Sequence, residues 1–334
     1  MLKQAPKYYV AEFFGEQPIT AGVVRQDNEI FMEQNEYKAI RFCFPKNKNI
    51  LSKILRLLQA FLIVFQCNKN ATVVFHFPMQ ATVYVLLQKI LHWRTIKTVV
   101  IIIDIDGLRD NNTALLQKEI TQLKNFDVII AHNNAMKDYL LGLMPHAKIF
   151  NIQMFDYRSK ENAPNKELSN KVCYAGNLAK APFLKMLNEL KEIHFNLYGQ
   201  GYDESWDKNI NCSYHGIVAA DELPTKLQGS FGMVWDGDSL AECDEYLRYN
   251  NPHKLSLYLL AGLPVIVWKQ SAVANFVKEK NIGIEVGSLY EVAAAIAAIT
   301  PSDYSAMLQE ASKLSPLIAN GFFLKEVLKE AVSV

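Results

Sequence analysis

The sequence predicts an α/β protein built of two doubly wound, Rossmann-like domains whose strand ends face one cleft. Three observations lead there. At 334 residues the chain is longer than one core usually organises. Apolar runs rich in Val, Ile and Phe alternate with helical patterns from start to finish, which is the rhythm of βα units on parallel sheets. Residues 155–170, FDYRSKENAPNKELSN, break that rhythm with a polar, irregular stretch, and afterwards the alternation restarts. The expected organisation is a first domain over 1–154, a linker over 155–170, a second domain over 171–318, and a final helix over 319–334 that can cross back to the first domain.

In the first half, strands are expected near 7–13, 38–44, 71–76, 97–104, 126–131 and 147–151. Helices fall near 23–34, 48–66, 79–92, 109–124 and 133–142. Thr98 to Ile105, TVVIIIDI, is apolar on both faces and reads as a central strand covered on both sides. In the second half, strands are expected near 171–175, 194–198, 211–216, 231–235, 263–268 and 283–286. Between them lie helices near 181–191, 221–229, 252–261, 271–280 and 288–299, and two more close the chain at 302–314 and 321–332.

Composition narrows the function classes. Half the residues are hydrophobic and the net charge is +1, so nothing draws the whole chain to nucleic acid. The five cysteines, at 43, 67, 173, 212 and 243, form no CxxC pair, which indicates neither a disulfide framework nor a zinc site and fits a reducing cytoplasm. The N-terminal MLKQAPKYYVAEFFG lacks the basic-then-apolar pattern of a secretion signal. Residues 50–67 approach membrane-spanning length, but Lys53 and Arg56 interrupt them. They read as a mostly buried helix or, with Lys46, Lys48 and Lys69 nearby, as one lying against an anionic membrane surface at the inner face of the membrane.

Ligands of doubly wound folds sit at the carboxyl ends of strands, so the residues there carry the functional reading. Tyr246 to Trp268 is the most informative stretch. Asn250 or Asn251 is a good N-cap, Pro252 suits the first helical position, and Gly262 suits the position just past the end. His253 and Lys254 then fall in the first turn, where the helix dipole disfavours a cation unless an anion is present, so the pattern reads as a phosphate site. The plainer alternative is a lysine that snorkels to water from a buried helix.

Gly176-Asn177-Leu178-Ala179-Lys180 follows the strand KVCYA and can bring backbone and an ammonium to a diphosphate, or can be a turn glycine with a solvated lysine. Tyr198-Gly199-Gln200-Gly201 ends the next strand without the third glycine of a dinucleotide fingerprint, which argues against a dehydrogenase. Tyr198 can flank a base or a sugar, or belong to the core. Asp236 and Asp238 end a further strand and suit sugar hydroxyls or ribose better than a diphosphate, which they would repel, or they are solvated. Arg248 can pair with a loop acid.

In the first half, Asp104-Ile105-Asp106-Gly107-Leu108-Arg109 follows the most apolar strand, and pleat alternation would put Asp104 and Asp106 on one side. One of them can act as general base with Arg109 tuning it, the pair can bind a metal as a DxD, or both can cap the next helix. His132 and His76 border strand ends and read as packing or capping residues more readily than as catalysts. Thr20 and Gly22 precede a helix at Val23 and leave room for a substrate to approach the backbone.

These motifs, taken in order as YAGNLAK at 174–180, NLYG at 196–199, FGMVWDG at 231–237 and YNNPHKLSLY at 249–258, resemble those of bacterial nucleotide-sugar glycosyltransferases of the GT-B fold. The similarity is to the β-1,6-galactofuranosyltransferase group and the related streptococcal adhesin glucosyltransferases, and it runs almost end to end. The resemblance implies a UDP-sugar donor held mainly by the second domain, an acceptor entering over the first, and no obligatory metal or other cofactor. By it, Lys254 is the diphosphate lysine, Lys180 a second basic residue on the diphosphate, and Gly176, Asn177, Tyr198, Asn250 and Asn251 line the nucleotide pocket. Gly199, Asp236, Tyr249 and His253 complete the expected donor site. The segment IDIDGLR is similar to a family pattern HDIESLR; it keeps Asp104 and Arg109 and departs at Ile103, Asp106 and Gly107. TAGVVRQD keeps Gly22 of a TAGxKAxxD-like pattern and has its acid, Asp27, one position early, with Val24 in place of the usual lysine.

The function expected from the sequence is therefore transfer of a hexose, whether galactofuranose, galactose or glucose, from a UDP-sugar to a hydroxyl of a surface glycan, free or lipid-linked, without a metal. Asp104 is the first choice of base and Asp106 the second. Rival readings are a metal-dependent transferase using Asp104 and Asp106, and a non-catalytic module that binds a nucleotide-sugar or glycan beside a partner transferase. No Tyr-x-x-x-Lys dyad supports an epimerase. Self-association through helices of the first domain is also compatible with the sequence.

Overall fold

The computed structural model describes residues 5–11, 22–42, 50–79, 81–159, 166–208 and 211–333. The chain divides into two compact units, one drawn from within 1–16, 24–152 and 324–334, the other from within 17–23 and 153–323.

In the first unit the elements are β1 (Lys7–Val10), α1 (Val23–Gln34), β2 (Lys38–Ile40), α2 (Ile50–Gln66), β3 (Thr72–Phe77), α3 (Thr82–Trp93) and β4 (Lys97–Ile102). There follow α4 (Asp106–Arg109), α5 (Thr113–Leu123), β5 (Val128–Ala131), α6 (Asn134–Leu143) and β6 (Ile149–Asn151). The strands form one parallel sheet in the order β2-β1-β3-β4-β5-β6. Every residue of β3 and β5 is buried, as a sheet covered on both faces requires.

The second unit contains β7 (Lys171–Ala175), β8 (His194–Tyr198), β9 (Cys212–Tyr214), α7 (Leu223–Lys226), β10 (Phe231–Val234), α8 (His253–Leu260) and β11 (Val265–Trp268). It ends with α9 (Ala274–Glu279), β12 (Gly283–Val286), α10 (Val292–Ala297) and α11 (Pro301–Ala319). Its sheet is also parallel, in the order β12-β11-β10-β7-β8-β9. From β7 the chain winds one way through β8 and β9, then returns to β10 and winds the other way, so β7 and β10 flank the topological switch point. Helix α11 opens with a capping box between Thr300 and Asp303, a device worth about 1 kcal/mol. The last helix, α12 (Phe322–Ser333), lies mostly in the first unit, where Lys97 Nζ donates to the Val332 carbonyl at 3.0 Å.

Several local expectations are corrected. The stretch 109–124 is two helices, α4 and α5, because Asn112 N-caps a second start by accepting from Leu115 N at 3.0 Å. The segment 182–189 is 3-10 helix rather than α-helix. Helix α2 is not mostly buried: only Ala60 and Val64 of its described side chains are, while Leu62 is 62% and Phe65 70% exposed. Phe155, Asp156 and Tyr157, read as linker, are buried in the second unit.

Candidate active site

The second unit places its polar groups at its switch point. Gly232 in β10 packs directly under α8: an added Cβ would lie 2.0 Å from the Tyr258 ring, so only glycine lets the helix come this close to the strand. The Tyr258 hydroxyl accepts from Ala175 N at 2.9 Å and ties the same helix to the end of β7. Helix α8 is thus clamped across the two strands that flank the switch point, with its first turn at their carboxyl ends.

Its start differs from the sequence expectation. Pro252 is the N-cap, with extended φ and ψ of −64° and 128°, and no side chain caps the helix. Asn251 does not cap because its amide donates to the Gln153 carbonyl at 2.9 Å. His253, the first helical residue, packs its ring on Tyr157 at 4.7 Å and bonds the Asp156 carbonyl at 3.2 Å through Nε2. Burial pulls its pKa down to about 4, so the imidazole is neutral and Nε2 carries the hydrogen. Asn251 and His253 therefore anchor the helix start to residues 153–156. Asn250 is half-buried and its enclosed Oδ1 has no hydrogen-bond partner among the described residues; Tyr249 beside it is half-buried.

Lys254 sits at the second helical position. Its ammonium donates to Asp236 Oδ1 at 2.6 Å and to the Tyr174 hydroxyl at 2.8 Å, and lies 4.4 Å from the centre of the Tyr174 ring. A Cβ on Gly176 would meet Lys254 Cε at 3.2 Å, so the turn after β7 runs directly past this side chain. Asp236 is thus a partner of the lysine itself, a long-range pairing that local charge arguments did not anticipate. Tyr174 opens the motif YAGNLAK, whose pattern alone gives it no role. The signal available was its position two residues before Gly176, on the same side of the strand.

The neighbouring turns lie against one another. A Cβ on Gly199, whose φ is 124°, would fall 1.8 Å from the Gly176 carbonyl oxygen. Asn177 caps the short 3-10 turn 178–180 by accepting from Ala179 N at 3.2 Å, and Lys180 at its end is exposed. Tyr198, by contrast, is a core residue. It is 2% exposed, stacks on His215 at 4.7 Å, and spends its hydroxyl on the Lys226 carbonyl and on Gln228 N, both at 3.1 Å. Arg248 pairs with Glu245 and lies over the Trp268 ring at 4.7 Å.

The first unit gathers a different cluster. Strand β4 stops at Ile102, so pleat alternation does not set the acids; Asp104 lies just before α4 and Asp106 is its first residue. Arg109 binds Asp104 and holds Asp106 and Asp110 at 2.9 Å each. Asp104 also accepts from Ile105 N at 3.0 Å. Buried Glu119 accepts from the amides of Asp106 and Gly107 at 3.0 and 2.8 Å, capping α4 from outside, a role sequence reasoning missed. Burial raises the Glu119 pKa, and these two amides oppose the rise. Among the described residues no group of three His, Cys, Asp or Glu is arranged to hold a metal ion.

His132 is buried with Nε2 3.1 Å from the Ile102 carbonyl, and burial lowers its pKa to about 4. His76 is buried at 3.4 Å from Asn28 Nδ2. Gly22 is half-buried with open space around it, and Thr20 lies outside the described residues.

Both halves match one family, the glucosyltransferase 3-like proteins: the N-terminal domain over residues 7–154 and the C-terminal domain over 172–331. The chain belongs to that family. It is 32% identical over 284 residues to the β-1,6-galactofuranosyltransferase WbbI of Escherichia coli K12, covering 81% of this chain and 82% of that one. Glucosyltransferase 3 of Streptococcus gordonii is 30% identical over 226 residues, 66% of each chain. Among solved structures, Anabaena HepE in complex with UDP superposes with a TM-score of 0.63 over 98% of this chain and all of that one, at 12% identity. That likeness establishes a shared GT-B fold, and the named relatives are glycosyltransferases.

Proposed function

We propose that this glycosyltransferase takes a UDP-sugar as donor, binds its diphosphate at the start of α8, and passes the hexose to a hydroxyl of a glycan acceptor without a metal. The observation that carries the reading is Lys254, a half-buried ammonium at the switch point of a doubly wound sheet, on a helix start that no side chain caps. An ammonium has three hydrogens; Asp236 and Tyr174 take two, which aims the third and leaves it for a phosphate oxygen. When the bond from the sugar to UDP breaks, negative charge grows on the β-phosphate, and a fixed cation beside uncapped amides stabilises that charge more than the ground state. Lys180, exposed after the Gly176 turn, is the second cation available to the diphosphate.

Asp104 is the proposed general base toward the acceptor hydroxyl, with Asp106 its alternate and Arg109 holding both. Arg109 pairs with both carboxylates and so places a cation where a DxD site would have to hold a metal. The proposed acceptor is a surface glycan, free or lipid-linked; the name of WbbI, a β-1,6-galactofuranosyltransferase, supports transfer of a hexosyl unit. Free Cys67, Cys173 and Cys243, all buried, suit a reducing cytoplasm. Among the described residues no helix is long and apolar enough to cross a membrane.

The test is a thermal-shift panel of UDP, UDP-galactose, UDP-galactofuranose, UDP-glucose and a GDP-sugar, repeated with Lys254→Met. A ligand at 100 times its Kd adds about 2.7 kcal/mol of stability. UDP compounds should stabilise the protein and the GDP-sugar should not, and Lys254→Met should weaken UDP by about 100-fold. Unchanged UDP affinity in the variant would overturn the site.

A further inference from the structure

Helix α2 turns its most apolar side outward. Ile54, Leu58, Phe61 and Phe65 recur at helical spacing along one stripe, with Leu55 and Leu62 beside it, and all six are exposed. Such a continuous face on a helix of 17 residues needs a covering. Trp93, at the end of α3, is the most exposed large apolar side chain described, at 78%. It follows the same surface, since the neighbouring Arg94 lies over the Phe65 ring at 5.3 Å and binds the Val64 carbonyl.

Charge identifies what covers it. From Tyr37 to Ile103 the sequence contains ten Lys and Arg and no Asp or Glu, although the chain as a whole is nearly neutral. Exposed Lys69 follows the end of α2, and exposed Lys89 stands one turn before Trp93 on α3. An apolar stripe bordered by cations, with an exposed tryptophan at its margin, matches a bilayer interface with anionic headgroups. A second copy of the chain is a poorer match, because a two-fold contact would set two cationic borders face to face with no acid from this segment to separate them.

We infer that the first unit docks on anionic phospholipid membranes, with the apolar stripe of α2 and Trp93 inserted at the interface and the bordering Lys69 and Lys89 on the headgroups. This docking is independent of the donor site proposed above.

The protein carries its own probe. Of its four tryptophans, Trp206, Trp235 and Trp268 are buried, so a change in fluorescence on docking reports Trp93. The full chain should be titrated with phosphatidylcholine vesicles, with and without about a third phosphatidylglycerol. Emission should shift to the blue and the protein should co-sediment with the anionic vesicles, at least about tenfold more strongly than with the neutral ones. Raising salt from about 0.1 to 1 M, which shortens screening from about 10 to 3 Å, should release it. Leu58→Glu/Leu62→Glu places two anions on an already exposed stripe and should lower partitioning by about 100-fold, with an unchanged far-UV melting curve showing that the fold is kept. Trp93→Phe should still sediment but lose the blue shift. Equal or absent binding to both vesicle types would overturn the inference. So would a solution dimer that Leu58→Glu/Leu62→Glu dissociates while neither form binds lipid, which would assign the stripe to self-association.

Discussion

The two units share a parallel, doubly wound plan but neutralise charge in opposite ways. In the second, one half-buried ammonium is balanced by one carboxylate and steadied by a phenol, and a second lysine, Lys180, is exposed at the end of the short turn that follows Gly176. In the first, three carboxylates converge on one guanidinium, and a fourth, Glu119, is spent on backbone amides behind them. On the proposed roles, an ammonium held by one carboxylate serves a leaving diphosphate, whereas carboxylates in excess of their guanidinium serve a hydroxyl that must lose its proton. The contrast teaches that the same strand-end geometry is given its chemistry by the sign of the charge left over.

The contrast can be broken by experiment. Asp104→Asn keeps the shape and removes the proposed base, so kcat should fall by about 10² to 10⁴ while UDP affinity stays within about twofold. Turnover near normal at saturating substrate would remove Asp104 from the mechanism, and the same loss in Asp106→Asn instead would shift the role to that residue.

A second experiment uses the histidines, one set in each unit. His132 and His253 are neutral in the fold, with pKa values lowered by burial to about 4, against about 6.5 when unfolded. Between those values the unfolded chain binds more protons, so stability is intact near neutral pH and is lost as pH falls from about 6.5 toward 4, at up to about 1.4 kcal/mol per unit for each histidine. Melting temperatures from pH 7 to pH 5 should show the slope. His132→Gln should flatten it even if it lowers the starting value, and an equally steep slope would mean that His132 is not held neutral.

The smallest effect concerns Asp236. If this carboxylate mainly aims Lys254 while opposing a diphosphate, Asp236→Asn should change UDP affinity by less than about threefold, because the gained attraction offsets the looser lysine. A loss as large as that from Lys254→Met, measured by calorimetry, would make Asp236 a direct ligand of the donor.

Much of this was legible from residue order. The TVVIIIDI run could only be a central strand, and Gly262, at φ 68°, ends α8 as its position suggests. Strand ends were legible, and so the positions of Gly176, Asp236 and Lys254. What local pattern could not supply were partners distant in sequence. Asn251 looks like an N-cap until its amide finds the Gln153 carbonyl. Asp236 looks like a contact for sugar hydroxyls, or a solvated acid, until Lys254 reaches it, 18 residues away. Tyr198 looks like a stacking platform until Lys226 and Gln228 claim its hydroxyl. The expected burial of α2 fails for a related reason, while its alternative at a membrane surface stays open: periodicity shows which side chains share a face, not whether the fold supplies something to cover it.

The chain's return path bears on how the protein can be cut. Because most of α12 belongs with residues 24–152 and binds Lys97, a single break near residue 153 leaves the upstream fragment without its closing helix and the downstream fragment with an apolar tail that has lost its seat. Recombinant halves divided there should aggregate or require co-expression. A first-unit fragment meant to stand alone needs the last eleven residues joined back on through a linker.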